Sequence, residues 1–233
     1  MLTIFAGPNG SGKSTLTRQI RTRGYHFGTY INADDIASQM LTDAVARGES
    51  ATRSDFEVAA FWEAERRRQT CIDQNADFAF ETVFSHPSKI ELIRRAKAAG
   101  FVVRLYFVTT ESVLLNIARV RKRVAEGGHA VPEDKVITRY RRTMGHLAPA
   151  CMEVDEAFLF DNSGSTMRAV AYMAWKRGEA SIQMNEPLPG WLVAWAGKSR
   201  RCSQWFGPAT DDFVRLCVQS SGAKPEWRQW LRG

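Results

Sequence analysis

Residues 7 to 15 read Gly7-Pro8-Asn9-Gly10-Ser11-Gly12-Lys13-Ser14-Thr15 and satisfy the spacing G-x-x-x-x-G-K-[ST] at every fixed position. No other stretch narrows the possible folds so far. Three glycines let successive backbone N–H groups turn inward around a polyphosphate, Lys13 brings a point charge to the β- and γ-phosphates, and the Ser14 hydroxyl suits Mg2+. The flanks supply the context that such a loop requires. Leu2-Thr3-Ile4-Phe5-Ala6 is a short apolar run suited to a buried parallel strand, and Ser14 to Arg23 has helical character. The loop therefore lies at a helix N-terminus, where the dipole favours anions. Strand, loop and helix in this order predict that residues 7 to 15 bind ATP, with Mg2+ at Ser14.

Past the loop, apolar runs at 29–33, 78–82, 102–108 and 157–160 alternate with helix-like stretches at 35–47, 54–75, 87–99, 111–126 and 132–147. This is the pattern of β-α units. Right-handed crossovers then predict a three-layer α/β fold with a parallel sheet and a ligand crevice beyond the strand C-termini. A chain of 233 residues has room for one such domain, read as 1–177, and an appendage, read as 178–233. No run of about 18 apolar residues is present to span a bilayer. The loop begins too early for a leader peptide, and Cys71, Cys151, Cys202 and Cys217 are scattered without metal-ligand spacing. Reduced thiols and a cytoplasmic location are the expectation.

Polar residues after the strands are the candidates for chemistry. Ile31-Asn32-Ala33-Asp34-Asp35-Ile36 puts the Asp34 carboxylate at a strand mouth, where a general base takes a proton from a substrate hydroxyl, with Asp35 capping the next helix. Equally, both aspartates are caps. Phe78-Ala79-Phe80-Glu81-Thr82 runs an apolar strand into Glu81 and Thr82. A carboxylate ending such a strand is partly desolvated and needs a partner, which favours a substrate or metal-water contact over a solvated strand end.

Asn116 to Pro132 is the most basic segment, with Arg119 and Arg123 four apart on one helix face, then Gly127-Gly128 as a hinge, His129, and Pro132 opening the next helix. Helix, hinge and helix over about 116–142 predict a lid that closes over phosphates, although a solvated basic face has the same composition. After about residue 165, Ala169 to Arg177 reads as one more helix. Proline and glycine then break the chain into an irregular extension holding Trp191, Trp195, Trp205, Trp227 and Trp230 among Lys198, Arg200, Arg201, Arg215 and Arg228. Packing of these indoles on the core or on a partner is favoured over stacking on single-stranded nucleic acid. The net charge of +7 suits an anionic substrate, a nucleic acid or an ordinary basic surface.

The ordered set of the loop at 7–15, Ile31-Asn32-Ala33-Asp34-Asp35, Phe80-Glu81-Thr82, the block from Arg119 through Gly128-His129-Ala130-Val131-Pro132, and Phe160-Asp161-Asn162-Ser163 resembles the zeta-toxin family of P-loop kinases. The resemblance implies transfer of the ATP γ-phosphate to a hydroxyl of a nucleotide sugar, UDP-N-acetylglucosamine. It implies Asp34 as general base, Glu81 as a substrate-site acid and Arg119 as the lid arginine, with Lys13 on the phosphates and Thr82, Arg123 and His129 lining the substrate side. His129 falls where some members place an arginine facing the phosphates. An antitoxin protein is the partner that such a family brings into view. Two other readings stand beside this one: a polynucleotide or RNA-end kinase, and a nucleotide-dependent binding module or ATPase with no phosphorylated acceptor.

Overall fold

Every residue of β1 (Leu2–Ala6) is buried, as an unbroken apolar run at the centre of a sheet must be. The computed structural model describes residues 1–176 and 179–198. Within them one sheet has the order β2 (Thr29–Ile31), β3 (Phe78–Thr82), β1, β4 (Val103–Thr109), β5 (Glu156–Asp161), β6 (Arg168–Lys176), β7 (Glu179–Met184). The first five strands are parallel and the last two antiparallel. The helices are α1 (Lys13–Thr22), α2 (Ala33–Ala46), α3 (Glu57–Asp73), α4 (Ser88–Ala98), α5 (Val113–Ala125), α6 (Glu133–Glu153) and α7 (Gly190–Lys198). A 3-10 turn at Arg53–Phe56 precedes α3, so the single helix expected over 54–75 is two elements.

Strand alternation sorts the core into two faces. Leu2, Ile4 and Ala6, with Val103, Leu105 and Phe107, pack with buried residues of α2, α3, α4, α6 and α7. Phe5, Tyr106 and Val108 face the other way, onto Leu16 and Ile20 of α1. On that second face Phe5, Tyr106, Phe158 and Tyr172 form a row across four strands, with neighbouring ring centroids 5.2, 4.8 and 4.8 Å apart. Three layers result. In register, Ala6 is level with Thr82 on one side and Phe107 on the other. The loop that follows Ala6 thus leaves the sheet beside Glu81 and Thr82.

At one edge the parallel sheet gains two antiparallel strands, and there one expectation fails. Residues 168–176 form β6 rather than a helix, returning antiparallel along β5 with a register shift between Leu159 and Phe160. Ala169, Val170, Ala171, Met173 and Ala174 are all buried, so the segment has no polar stripe for a helix to turn toward solvent. The connection from Asp161 to Arg168 is also too short for a parallel crossover. Nor is the extension irregular in its described part, where β7 pairs with β6 from Ala171↔Met184 to Lys176↔Glu179 and α7 follows. Trp191, Leu192 and Trp195 of α7 are buried in the main core, and Trp191 Nε1 donates to Asp161 Oδ1 at 2.9 Å. Trp205, Trp227, Trp230, Arg200, Arg201, Arg215, Arg228, Cys202 and Cys217 lie outside the described residues. Among the described residues no helix is long and apolar enough to cross a membrane.

Candidate active site

The loop is held open by its neighbours. Gly10 (φ 74) and Gly12 (φ 102) adopt left-handed backbone, and a Cβ would lie 2.6 Å from Asn116 O at the first and 2.3 Å from Asn162 Nδ2 at the second. Both positions need glycine for conformation and for space. The same two asparagines pin the loop: Asn116 Nδ2 donates to Asn9 O and Asn162 Nδ2 to Ser11 O, each at 2.7 Å. Asn116 is fully buried and is oriented in turn by the Thr110 hydroxyl, which donates to its Oδ1. Among the described residues no acceptor meets the amides of Gly10, Gly12, Lys13 and Ser14, the unsatisfied donors of a loop entering α1. Lys13 Nζ donates to Pro8 O at 3.0 Å. Burial holds its ammonium below the usual lysine range, against the charges of Glu81 and Asp34, while Arg123 depresses it further. All four groups therefore share one electrostatic environment.

Glu81 joins the end of the loop to β2. Its Oε1 accepts from Ser14 Oγ at 2.8 Å and its Oε2 from Tyr30 OH at 3.1 Å. Burial and the adjacent Glu81 push the Tyr30 phenol upward, so it stays a donor. Thr82 takes a local role, its hydroxyl accepting from Phe84 N at 3.1 Å. The cap of α2 is neither aspartate: Asn32 Oδ1 accepts from Asp34 N at 3.0 Å. That corrects the expectation for Asp35 and leaves the Asp34 carboxylate, 74% exposed, free of capping duty. Its Oδ1 instead receives Arg53 Nη2 at 2.6 Å. Asp35 lies in the same first turn, and burial, then Glu81 and Asp34, raise its carboxyl above the ordinary range despite Arg21 and Arg53.

Across the site, Asn116, Arg119 and Arg123 fall on one face of α5, since positions three and four apart align on a helix. Among the described residues, Arg119 Nη1 is buried and finds no partner. Arg123 Nη2 donates to His129 O at 2.8 Å, and His129 Nε2 lies 3.2 Å from Glu57 Oε1 at the start of α3. The linker between α5 and α6 is thereby tied to the start of α3. Burial and Arg53 lower the His129 imidazole, with Glu57 and Asp34 opposing and Arg123 contributing. An apolar crevice of 320 Å³ lies between α5 and α6, lined by Ile117, Val120, Val124, Val131 and Val136 with Arg121 and Glu133. It includes no loop residue and belongs to the helical hairpin itself.

The oxygen donors fit a hard cation. Ser14 Oγ and Glu81 Oε1 are adjacent, Asp34 and Asp35 crowd negative charge beside them, and Mg2+ is held by few protein oxygens completed by phosphates and water. Among the described residues no group of three His, Cys, Asp or Glu side chains forms a ready cage, which is the arrangement a protein-only site would need. The structure thus brings Lys13, Ser14, Asp34, Glu81 and Arg123 together. It adds Tyr30, Arg53, Asn116 and Asn162, whose partners are remote in sequence. The Thr52–Asp55 capping box marks the turn that carries Arg53, but nothing local says that this turn abuts α2.

Fold and loop together define a P-loop α/β protein of kinase type. The chain belongs to the zeta toxin family, whose model matches residues 1–167. It is 33% identical over 138 residues to an uncharacterized protein of Haemophilus influenzae, a match spanning 59% of this chain and 90% of that relative. Solved structures of the AvrRxo1-ORF1:ORF2 complex share the fold. One with sulphate ions superposes at TM-score 0.63 with 15% identity, covering 100% of this chain and 74% of its own. One with ATP superposes at TM-score 0.62 with 17% identity over 78% of this chain, which spans 60% of that structure's chain.

Proposed function

We propose that the protein is an ATP-dependent phosphotransferase that moves the γ-phosphate to a hydroxyl of a nucleotide sugar such as UDP-N-acetylglucosamine. The observation that carries this reading is Asp34: relieved of capping by Asn32, it shares the electrostatic surroundings of Lys13 in the loop. Lys13 and the unmatched loop amides bind the phosphates. Ser14, with Glu81 behind it, holds Mg2+, which neutralises charge on the phosphates when bound. Asp34 takes the acceptor proton as the new O–P bond forms and the bond to the leaving ADP oxygen breaks. Arg119 and Arg123 balance the charge spread over the transferred group. The ATP seen in the AvrRxo1 complex, on a shared fold, supports the nucleotide. The family and that two-protein complex support an antitoxin-like partner, and our reading places the protein in the cytoplasm.

The test is to incubate the protein with Mg-ATP and a panel of nucleotide sugars, small alcohols and RNA ends, and to identify by mass spectrometry what gains a phosphate. A phosphorylated nucleotide sugar is the expected product. Asp34→Asn should keep ATP binding and lose about 10²-fold or more in transfer. Unchanged transfer would refute the base; a phosphorylated RNA end alone would replace the acceptor; hydrolysis indifferent to every acceptor would leave an ATPase.

A further inference from the structure

Among the described residues, buried side-chain polar atoms without a partner are few, and four belong to this site: Asn9 Oδ1, Ser11 Oγ, Arg119 Nη1 and Arg53 Nη1. A buried donor left unmatched is costly, most of all on a charged group, and such atoms at a cleft are ones a ligand satisfies. Asn9 and Ser11 belong to the loop itself, and Arg119 lies one turn along α5 from Asn116, which holds the loop. Arg53 does not belong to that set. It stands in the 3-10 turn that precedes α3, where it bonds Asp34. The turn is closed by a capping box in which Thr52 N and Thr52 Oγ1 reach Asp55 Oδ2 at 2.7 and 2.9 Å. Arg53 Nη2 is committed to Asp34, at 2.6 Å from Oδ1 and 3.3 Å from the backbone oxygen. Nη1 lies in the same guanidinium plane and, among the described residues, has nothing to donate to. The charged groups that it acts on are Asp34, Asp35 and His129, and the side chain itself is only 19% exposed.

We propose that Arg53 is a positioning and specificity-determining residue of the acceptor site: Nη2 holds the Asp34 carboxylate, and Nη1 donates to a phosphate oxygen of the nucleotide-sugar acceptor. The inference rests on the reading of Asp34 as base. Because the two guanidinium nitrogens are rigidly coplanar, the acceptor oxyanion and the hydroxyl presented to Asp34 are fixed a few ångströms apart, which a nucleotide sugar satisfies and a simple neutral alcohol does not.

The experiment fills the loop first. Protein saturated with a non-hydrolysable Mg-ATP analogue is titrated with inorganic phosphate by calorimetry. Wild type should bind one further phosphate. Arg53→Gln should bind it at least about tenfold more weakly, and Arg53→Lys should fall between, keeping charge without the fork. Asp34→Asn should bind phosphate at least as tightly as wild type, since a repelling carboxylate is gone. Analogue affinity and melting temperature in Arg53→Gln should match wild type, and if that variant does not fold, Arg53→Lys carries the comparison. No second phosphate in wild type, or equal phosphate affinity in wild type and the Arg53 variants, overturns the proposal. Failure of the analogue itself to bind overturns the nucleotide reading beneath it, and a normal transfer rate in Asp34→Asn removes the positioning role while leaving the phosphate contact to be judged by the titration.

Discussion

Lys13 is only 8% exposed, so the charge that would hold phosphates is buried before any phosphate arrives. A lysine whose pKa is lowered by folding binds fewer protons in the fold than in the unfolded chain. Its charge therefore weakens stability at neutral pH, and that loss fades as pH rises from the lowered value toward the ordinary 10.5. Lys13→Met is accordingly expected to leave the nucleotide-free melting temperature unchanged or higher while weakening ATP binding by about 1.5–3 kcal/mol. Calorimetry and thermal denaturation on the same variant check both halves; a lower melting temperature would mean that the bond to Pro8 O outweighs burial. Lys13, Ser14 and Asp34 are legible from spacing because their chemistry is local. Asn116 and Asn162 are not, since each is defined by a carbonyl 107 and 151 residues away. Asp34 and Arg53, 19 apart, meet only because α2 folds back on the 3-10 turn.

At the scale of elements, the α5–α6 linker is shaped by close contact. A Cβ at Gly128 would lie 2.6 Å from Arg123 Cγ and 2.9 Å from Arg123 O. Gly128→Ala should displace Arg123 and slow transfer by about 10²-fold with the melting temperature nearly unchanged, as misplacing a group by about 1 Å does; normal rates would show that Arg123 is not used. A second element pair supplies a pH signature. Glu65 of α3 bridges Arg68 (Nη2 to Oε1, 2.8 Å) and Lys89 of α4. Burial pushes the Glu65 carboxyl up, yet Lys89 and Arg68 together outweigh it and hold the group below the ordinary range. An acid depressed by folding contributes stability that is present above its unfolded value, about 4.3, and is lost as pH falls through the folded one. Glu65→Gln should therefore cost about 3 kcal/mol at pH 7, leaving two cations poorly paired, with the difference from wild type shrinking below about pH 4. Thermal melts across pH 3 to 7 test this. The misread element, β6, shows the limit of pattern: small and apolar residues on both faces suit a buried strand or a buried helix alike, and only an open sheet edge at β5 decides for the strand.

For the whole molecule, residues after β6 close the structure as well as extend it. β7 covers the edge of β6, and α7 places Trp191, Leu192 and Trp195 in the core that β1 and β4 share. Deleting residues 178–233 is expected to expose that apolar face and lower stability by several kcal/mol, while the fraction that stays folded still binds ATP, because every loop contact lies before residue 163. Thermal melts and nucleotide binding on the truncated protein measure this; a fully stable, soluble truncation would refute the packing role, and loss only of salt-dependent oligonucleotide binding would assign the tail to nucleic acid. What the sequence by itself determined is the part with short-range causes: the glycine-rich turn between an apolar run and a helix, the β-α alternation, and the basic helical hairpin. Tertiary structure alone decided that β6 and β7 run antiparallel, that Asn32 caps α2 and so releases Asp34, that two remote asparagines hold the loop, and that Arg53 faces the carboxylate. Each depends on which edge, carbonyl or charge a distant segment presents, and that is set by the burial of the whole chain rather than by spacing along it.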